Sequence, residues 1–189
     1  MGKSVSRNSA FSMINKGLSV VFPLVTVSYI SRVLGAAGIG EISSAQNLAT
    51  YFSMAAALGI PSYGVRAIAQ SKRDENSCNK TFSELFAINL ISSIIATVVY
   101  LITVFCFKIN NSNTALALIF SSIIVFNVIN IEWVYQGYEE YEYIMIRSFV
   151  IKIVSLLLLF IFVRRKSDLV AYALIAALPV TPIPIRSFN

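Results

Sequence analysis

The residues of this chain that could do chemistry are basic groups set inside or beside long apolar runs. Lys16, Arg32, Arg66, Arg147 and Lys152 fall at or near the depth a bilayer would give those runs. An unpaired charge at the bilayer centre costs at least about 2.5–3.5 kcal/mol, so each such residue either snorkels or serves a site. Lys16 stands one turn inside its run, within snorkelling reach of the interface. Arg32 closes that run, where an interfacial anchor is the plainer reading. Arg66 follows a bend at Pro61 and either anchors to headgroups or guards a cavity mouth. Lys152 is the strongest candidate for a cavity. At about 1.5 Å per helical residue it sits roughly 12 Å along its run, with Ser148 and Ser155 on its face. Cations lining a cavity suit an anionic substrate such as a diphosphate, and Arg147 lies toward the same end as Lys152. Glu132 either balances one of these cations, binds a coupling proton or Na⁺, or rests at the water interface. Glu139, Glu140 and Glu142 read as a solvated loop.

Several functions are disfavoured by what is missing. The chain has no His, the commonest general base and metal ligand. No nucleophile–base pair, metal-ligand spacing or phosphate loop stands in it, so no enzyme, metal or cofactor is expected. Cys78 and Cys106 lie in a polar segment and an apolar run, which is no disulfide framework. The net charge of +6 is spread along the chain. No basic helix or aromatic–basic platform appears, so a bilayer with anionic headgroups is expected as partner and nucleic acid is not.

The elements that must position these groups are membrane helices. Of 189 residues, 57% are hydrophobic and 13% charged, and the mean hydropathy is +0.74. Soluble chains carry about 25% charged residues. The apolar residues fall in blocks of about 20, the length that crosses a bilayer as a helix. The fold class is therefore all-α, a polytopic membrane protein of about six transmembrane helices. The runs cover residues 12–31, 42–60, 85–107, 114–135 and 144–163, and a sixth starts near Leu169. Residues 32–41 are Gly-rich and predict a short connection. Residues 62–84 form the longest polar stretch. The fourth run ends in Glu132-Trp133-Val134-Tyr135-Gln136-Gly137, with amphipathic rings where acyl chains meet headgroups.

Polar residues within the runs share helical faces. Ser12, Asn15, Lys16, Ser19, Pro23 and Thr26 do so in the first, and Ser43, Asn47, Thr50 and Met54 in the second. Asn89, Ser92, Ser93, Ala96 and Thr97 do so in the third, and Asn127 and Asn130 stand one turn apart in the fourth. Such faces meet other helices or a wet cavity, not lipid. Pro23 predicts a kink, with Ser19 near enough to bond a freed carbonyl. Lys3, Arg7, Arg66, Lys72, Arg73 and Lys80 fall on one side of the predicted membrane, and these early charges place the N-terminus in the cytoplasm. Arg164, Arg165 and Lys166 fall on the other side, against that orientation.

Three pieces of the chain resemble a known family. Arg32-Val33-Leu34-Gly35 with Gly38 and Gly40 is the first. Leu58-Gly59-Ile60-Pro61-Ser62-Tyr63-Gly64-Val65-Arg66 is the second. Trp133-Val134-Tyr135-Gln136-Gly137 with Glu139 is the third and most specific. In their order and spacing they resemble the Wzx-type O-antigen or polysaccharide flippases of the multidrug/oligosaccharidyl-lipid/polysaccharide exporter superfamily, over residues 8–177. Ala36-Ala37 stand where that family often has Pro-Glu. The resemblance implies a MATE-like fold of two six-helix lobes around a central cavity, with this chain as the N-terminal lobe. It implies alternating-access translocation of an undecaprenyl-diphosphate-linked oligosaccharide across the bacterial cytoplasmic (inner) membrane, coupled to an ion gradient, beside other polysaccharide assembly proteins. Cavity cations of such proteins meet the diphosphate, which makes Arg32, Arg66, Arg147, Lys152 and Lys16 the substrate-binding candidates. Glu132 is the ion-coupling candidate. Residues 1–178 are expected to form the lobe. The Pro-rich residues 179–189 are expected to be an atypical tail of the kind a frameshift or early stop leaves. A drug/cation antiporter of the same superfamily, or an inactive truncated membrane protein, is the alternative.

Overall fold

The structure, a computed structural model, describes residues 2–72, 74–107 and 114–177. The tail expected over residues 179–189 lies outside them. Every regular element among the described residues is an α-helix. Helix α1, Gly2–Ala57, covers both of the first two predicted runs. The connection predicted over residues 32–41 is helical instead. Only Gly35 leaves the helical region, at φ 72° and ψ 175°, so two helical stretches meet across one residue. A Cβ disfavours positive φ, and glycine lets the chain break there without a loop. Pro23 lies inside α1 without a break in the helical dihedral angles. The Ser19 side chain lies outside the described residues.

A second break follows α1. Leu58 and Gly59 both take positive φ, 47° and 75°. Helix α2, Ile60–Ser71, begins directly after them, with Pro61 in its first turn, where a missing N–H costs no hydrogen bond. The polar stretch over residues 62–84 is thus mostly helical, since α3, Glu75–Phe107, takes up its second half. The reason is periodic. Ile60, Gly64 and Ile68 recur every four residues and give an otherwise polar segment one buried stripe.

The fourth predicted run is also broken. Helix α4 spans Thr114–Asn127 and the short α5 spans Glu132–Gly137, with turns between them. Helix α6 covers Tyr141–Phe162 and α7 covers Leu169–Ala176. Ahead of α7, the Asp168 carboxylate accepts the backbone N–H groups of Arg164 at 3.0 Å and Arg165 at 2.9 Å. These bonds hold its carboxyl below the usual carboxylate range.

Four stretches are long and apolar enough to cross a membrane: Phe22–Ser71, Glu75–Cys106, Thr114–Gly137 and Tyr141–Phe162. The first, at 50 residues, far exceeds the about 20 that one crossing needs. Their outer surfaces are apolar. On α3 alone, Ile91, Ile94, Ile95, Val98, Ile102 and Phe105 are exposed. An uncovered surface of this kind is at home in lipid.

The interior divides into two cores. The larger joins Ile30, Leu34, Ala45 and Ala49 of α1 with Tyr100 and Val104 of α3, Phe120 and Ile124 of α4, Leu159 of α6 and Ala173 of α7. The smaller joins Ile60 and Ile68 of α2, Cys78 and Leu85 of α3, and Trp133 and Val134 of α5. Small and polar groups seam the helices together, as expected of α3. Ser92 Oγ donates to the Ala56 carbonyl at 2.6 Å, and Tyr100 Oη donates to the Ala117 carbonyl at 2.8 Å. Tyr100→Phe removes one buried interhelical bond, so its expected cost is about 0.6 kcal/mol and at most about 1.7 kcal/mol. Thermal unfolding in detergent, followed by circular dichroism, measures it.

Candidate functional site

The two cores meet at a level where both α1 and α4 are interrupted. The joint Leu58–Gly59 and the turns after Asn127 sit side by side there. A cavity of 210 Å³ opens between them. Ala57, Ile60 and Pro61 line it from the first joint, and Asn127, Asn130, Glu132, Trp133 and Gln136 from the second; Asn89 of α3 completes it. Interrupted helices leave backbone groups without their ladder partners, and membrane proteins tolerate that where a cavity or other protein groups receive them. Here Asn89 Nδ2 donates at 3.2 Å to the Asn127 carbonyl at the end of α4, which also accepts the Asn130 N–H. Asn127 Nδ2 returns a bond to Asn89 Oδ1 at 3.4 Å. Asn130 Oδ1 accepts the Glu132 N–H at 3.3 Å, an Asx turn just ahead of α5.

Glu132 carries the charge of the site. Its Oε2 accepts Arg147 Nη2 at 2.9 Å, and its Oε1 accepts Gln136 Nε2 at 3.1 Å. The Arg147 side chain is 8% exposed and that of Glu132 is 31% exposed. Arg147 Nε and Nη1 are buried and have no hydrogen-bond partner among the described residues. Lys152, on the same helix, lies within electrostatic reach of Glu132. Arg147 and Lys152 thus both act on the Glu132 carboxylate.

The predicted residues divide accordingly. The structure brings Glu132, Arg147 and Lys152 together, with Glu132 ion-paired to Arg147. Arg32 on α1 and Arg66 on α2 are exposed and lie outside this cluster. The side chain of Lys16 is not among the described ones. Glu139 is exposed in a turn, as expected, and Lys72 Nζ reaches its Oε1 at 3.3 Å. The amide set Asn89, Asn127, Asn130 and Gln136 was not legible as one site. Each stands in a different helix turn, and only the coincidence of the two breaks unites them. The asparagines inside apolar runs were the available signal.

The three motif stretches owe their residue types to packing as much as to the site. Gly64 of α2 faces the Trp133 ring so closely that a Cβ there would run into it. A Cβ on Gly137 would come within 2.7 Å of Ile68 Cγ2. The second and third motifs thus form one interface between α2 and α5, with Phe82 stacked on Trp133 at 5.9 Å between ring centroids. The family model described as "Polysaccharide biosynthesis protein" matches residues 5–181. The chain belongs to this family. Members of the polysaccharide biosynthesis protein family among curated proteins include two named "Putative O-antigen transporter". That of Escherichia coli (strain K12) is 28% identical over 170 residues, covering 88% of this chain and 40% of the relative. That of Shigella dysenteriae is 23% identical over 168 residues, covering 88% and 42%. The chain thus spans about two-fifths of the length of the curated relatives it matches. No solved structure matches it at a significant level. With its four long apolar helices, this family member is a multi-pass membrane protein.

Proposed function

We propose that this chain forms one lobe of a flippase that carries a lipid-linked oligosaccharide, joined to its lipid through a diphosphate, across the bacterial inner membrane. The N-terminus lies in the cytoplasm and transport runs by alternating access. The observation that carries the reading is the cluster in which the buried Arg147 side chain and the half-buried Lys152 both act on Glu132, in a chain of this family. Cations at membrane depth are costly unless an anion uses them, and a diphosphate is an anion that guanidinium and ammonium groups recognise well. A cation exporter would need the opposite balance. The polar face of α1 supports the same reading. Asn47, Thr50 and Met54 are left uncovered by this lobe, as expected of a surface that lines a wet space or meets a second lobe. Arg32 and Arg66, exposed on α1 and α2, would serve as outer contacts for the same anion. Lys16 is assigned with them from the sequence.

A chimera tests this, with residues 5–181 of this chain replacing the matching part of the E. coli relative in a strain lacking that relative. Surface O-antigen is expected to return. Lys152→Met in the chimera is expected to lower export about tenfold at equal protein level, the worth of about 1.4 kcal/mol of anion contact. Unchanged export would remove Lys152 from the site. No export from a chimera inserted at the relative's level would overturn the flippase reading.

A further inference from the structure

The cavity at the two helix breaks has a chemistry distinct from the Arg147–Lys152 cluster beside it. Asn89 spends its amide on Asn127 and the Asn127 carbonyl, and Glu132 is committed to Arg147 and Gln136. Three amide groups of lining residues remain. Asn127 Oδ1, Gln136 Oε1 and Asn130 Nδ2 make no hydrogen bond among the described residues. Two are acceptors and one is a donor. A cation would want acceptors alone, and it would face Arg147 and Lys152 behind an already paired carboxylate. An anion would want donors alone. A neutral polyol, whose hydroxyls each donate and accept, is the ligand that satisfies both kinds.

Size narrows the choice. The cavity of 210 Å³ holds the volume of about seven waters at about 30 Å³ each. It lies below the about 300–1,000 Å³ of sites that take drug-sized ligands. One pyranose ring fits and an oligosaccharide does not. Pro61 and Asn130 at its rim are exposed, which gives an open side. We propose that this cavity is a monosaccharide subsite, in which Asn127, Asn130 and Gln136 recognise the hydroxyls of a single sugar. It rests on the flippase reading for its physiological ligand. A sugar held here would be the one nearest the diphosphate, since the Arg147–Lys152 cluster adjoins the cavity through Glu132.

The chain carries its own reporter, because Trp133 is its one tryptophan and lines the cavity. The purified full chain in detergent micelles is titrated with glucose, galactose and N-acetylglucosamine, to about 100 mM given the millimolar affinity expected of a few hydrogen bonds. Sodium chloride and sodium pyrophosphate are titrated separately. At least one sugar is expected to change Trp133 emission saturably. Asn130→Ser keeps an oxygen for the Glu132 N–H but loses the donor, and Gln136→Leu loses the acceptor. Each is expected to weaken the sugar response about tenfold, or about 1.4 kcal/mol, with helical content unchanged. A response to sodium or to pyrophosphate alone, a sugar response unaltered in both variants, or no response to any of them would each overturn the subsite. Export by the chimera is a separate readout. Export without a sugar response removes the subsite and leaves the flippase, whereas a sugar response without export does the reverse.

Discussion

Glu132→Gln will destabilise the folded chain far more than Arg147→Met. The asymmetry follows from burial. Removing the carboxylate strands a guanidinium whose side chain is 8% exposed and which already has two nitrogens without partners. A buried charge left without its counter-ion costs about 3–5 kcal/mol. Removing the guanidinium instead leaves Glu132 at 31% exposed, within reach of water, of Gln136 and of the Lys152 charge. That loss is expected near about 1 kcal/mol, the upper range for a pair with solvent access. The double variant Glu132→Gln, Arg147→Met should recover most of the larger loss, since no stranded charge remains. Unfolding midpoints in detergent for the four proteins give the coupling energy directly. Equal effects of the two single variants would mean that Arg147 reaches water or lipid headgroups and that the pair is not an interior one.

Gly64→Ala is the second large effect. Its added methyl meets the Trp133 ring, which is itself buried in the smaller core with Phe82 stacked on it. Overpacking of this sort costs about 1–3 kcal/mol. Gly137→Ala presses on Ile68 across the same interface and should behave alike. Gly40 is the control. It is exposed on α1 with nothing within 4 Å of where a Cβ would stand, so alanine there should gain about 0.5–1 kcal/mol from helix propensity. The interface reading predicts opposite signs for Gly64→Ala and Gly40→Ala in the same melt. A neutral Gly64→Ala would show that α2 and α5 can part without loss, and that the glycine serves no close approach.

Much of the architecture was legible from periodicity and length. Apolar runs of membrane-crossing length predicted helices, and α3, α4 and α6 stand where their runs lie. The polar residues on α3 were read as a helix-facing surface, and Asn89, Ser92 and Ser93 take that place. Composition also pointed to the bilayer without any structure. Element boundaries were the least legible feature. A Gly-rich segment over residues 32–41 looks like a loop, yet a single glycine suffices for the break, and the other residues keep helical dihedral angles. The polar stretch after Pro61 looked like a connection because charge content outweighed its four-residue apolar repeat. The break after Asn127 had no proline or glycine to announce it, only asparagines able to take over backbone bonds.

The sequence by itself determined that this is a helical membrane protein and that its motif stretches carry the resemblance to the polysaccharide biosynthesis protein family. Hydropathy and motif spacing are one-dimensional properties, readable without knowing what touches what. Only the tertiary structure decided which cation Glu132 balances, that Gly64 and Gly137 are contact positions, and that four amides from separate turns border one cavity. Those facts depend on two helix breaks arriving at the same depth. Such coincidence arises from packing of distant segments, and no local pattern encodes it.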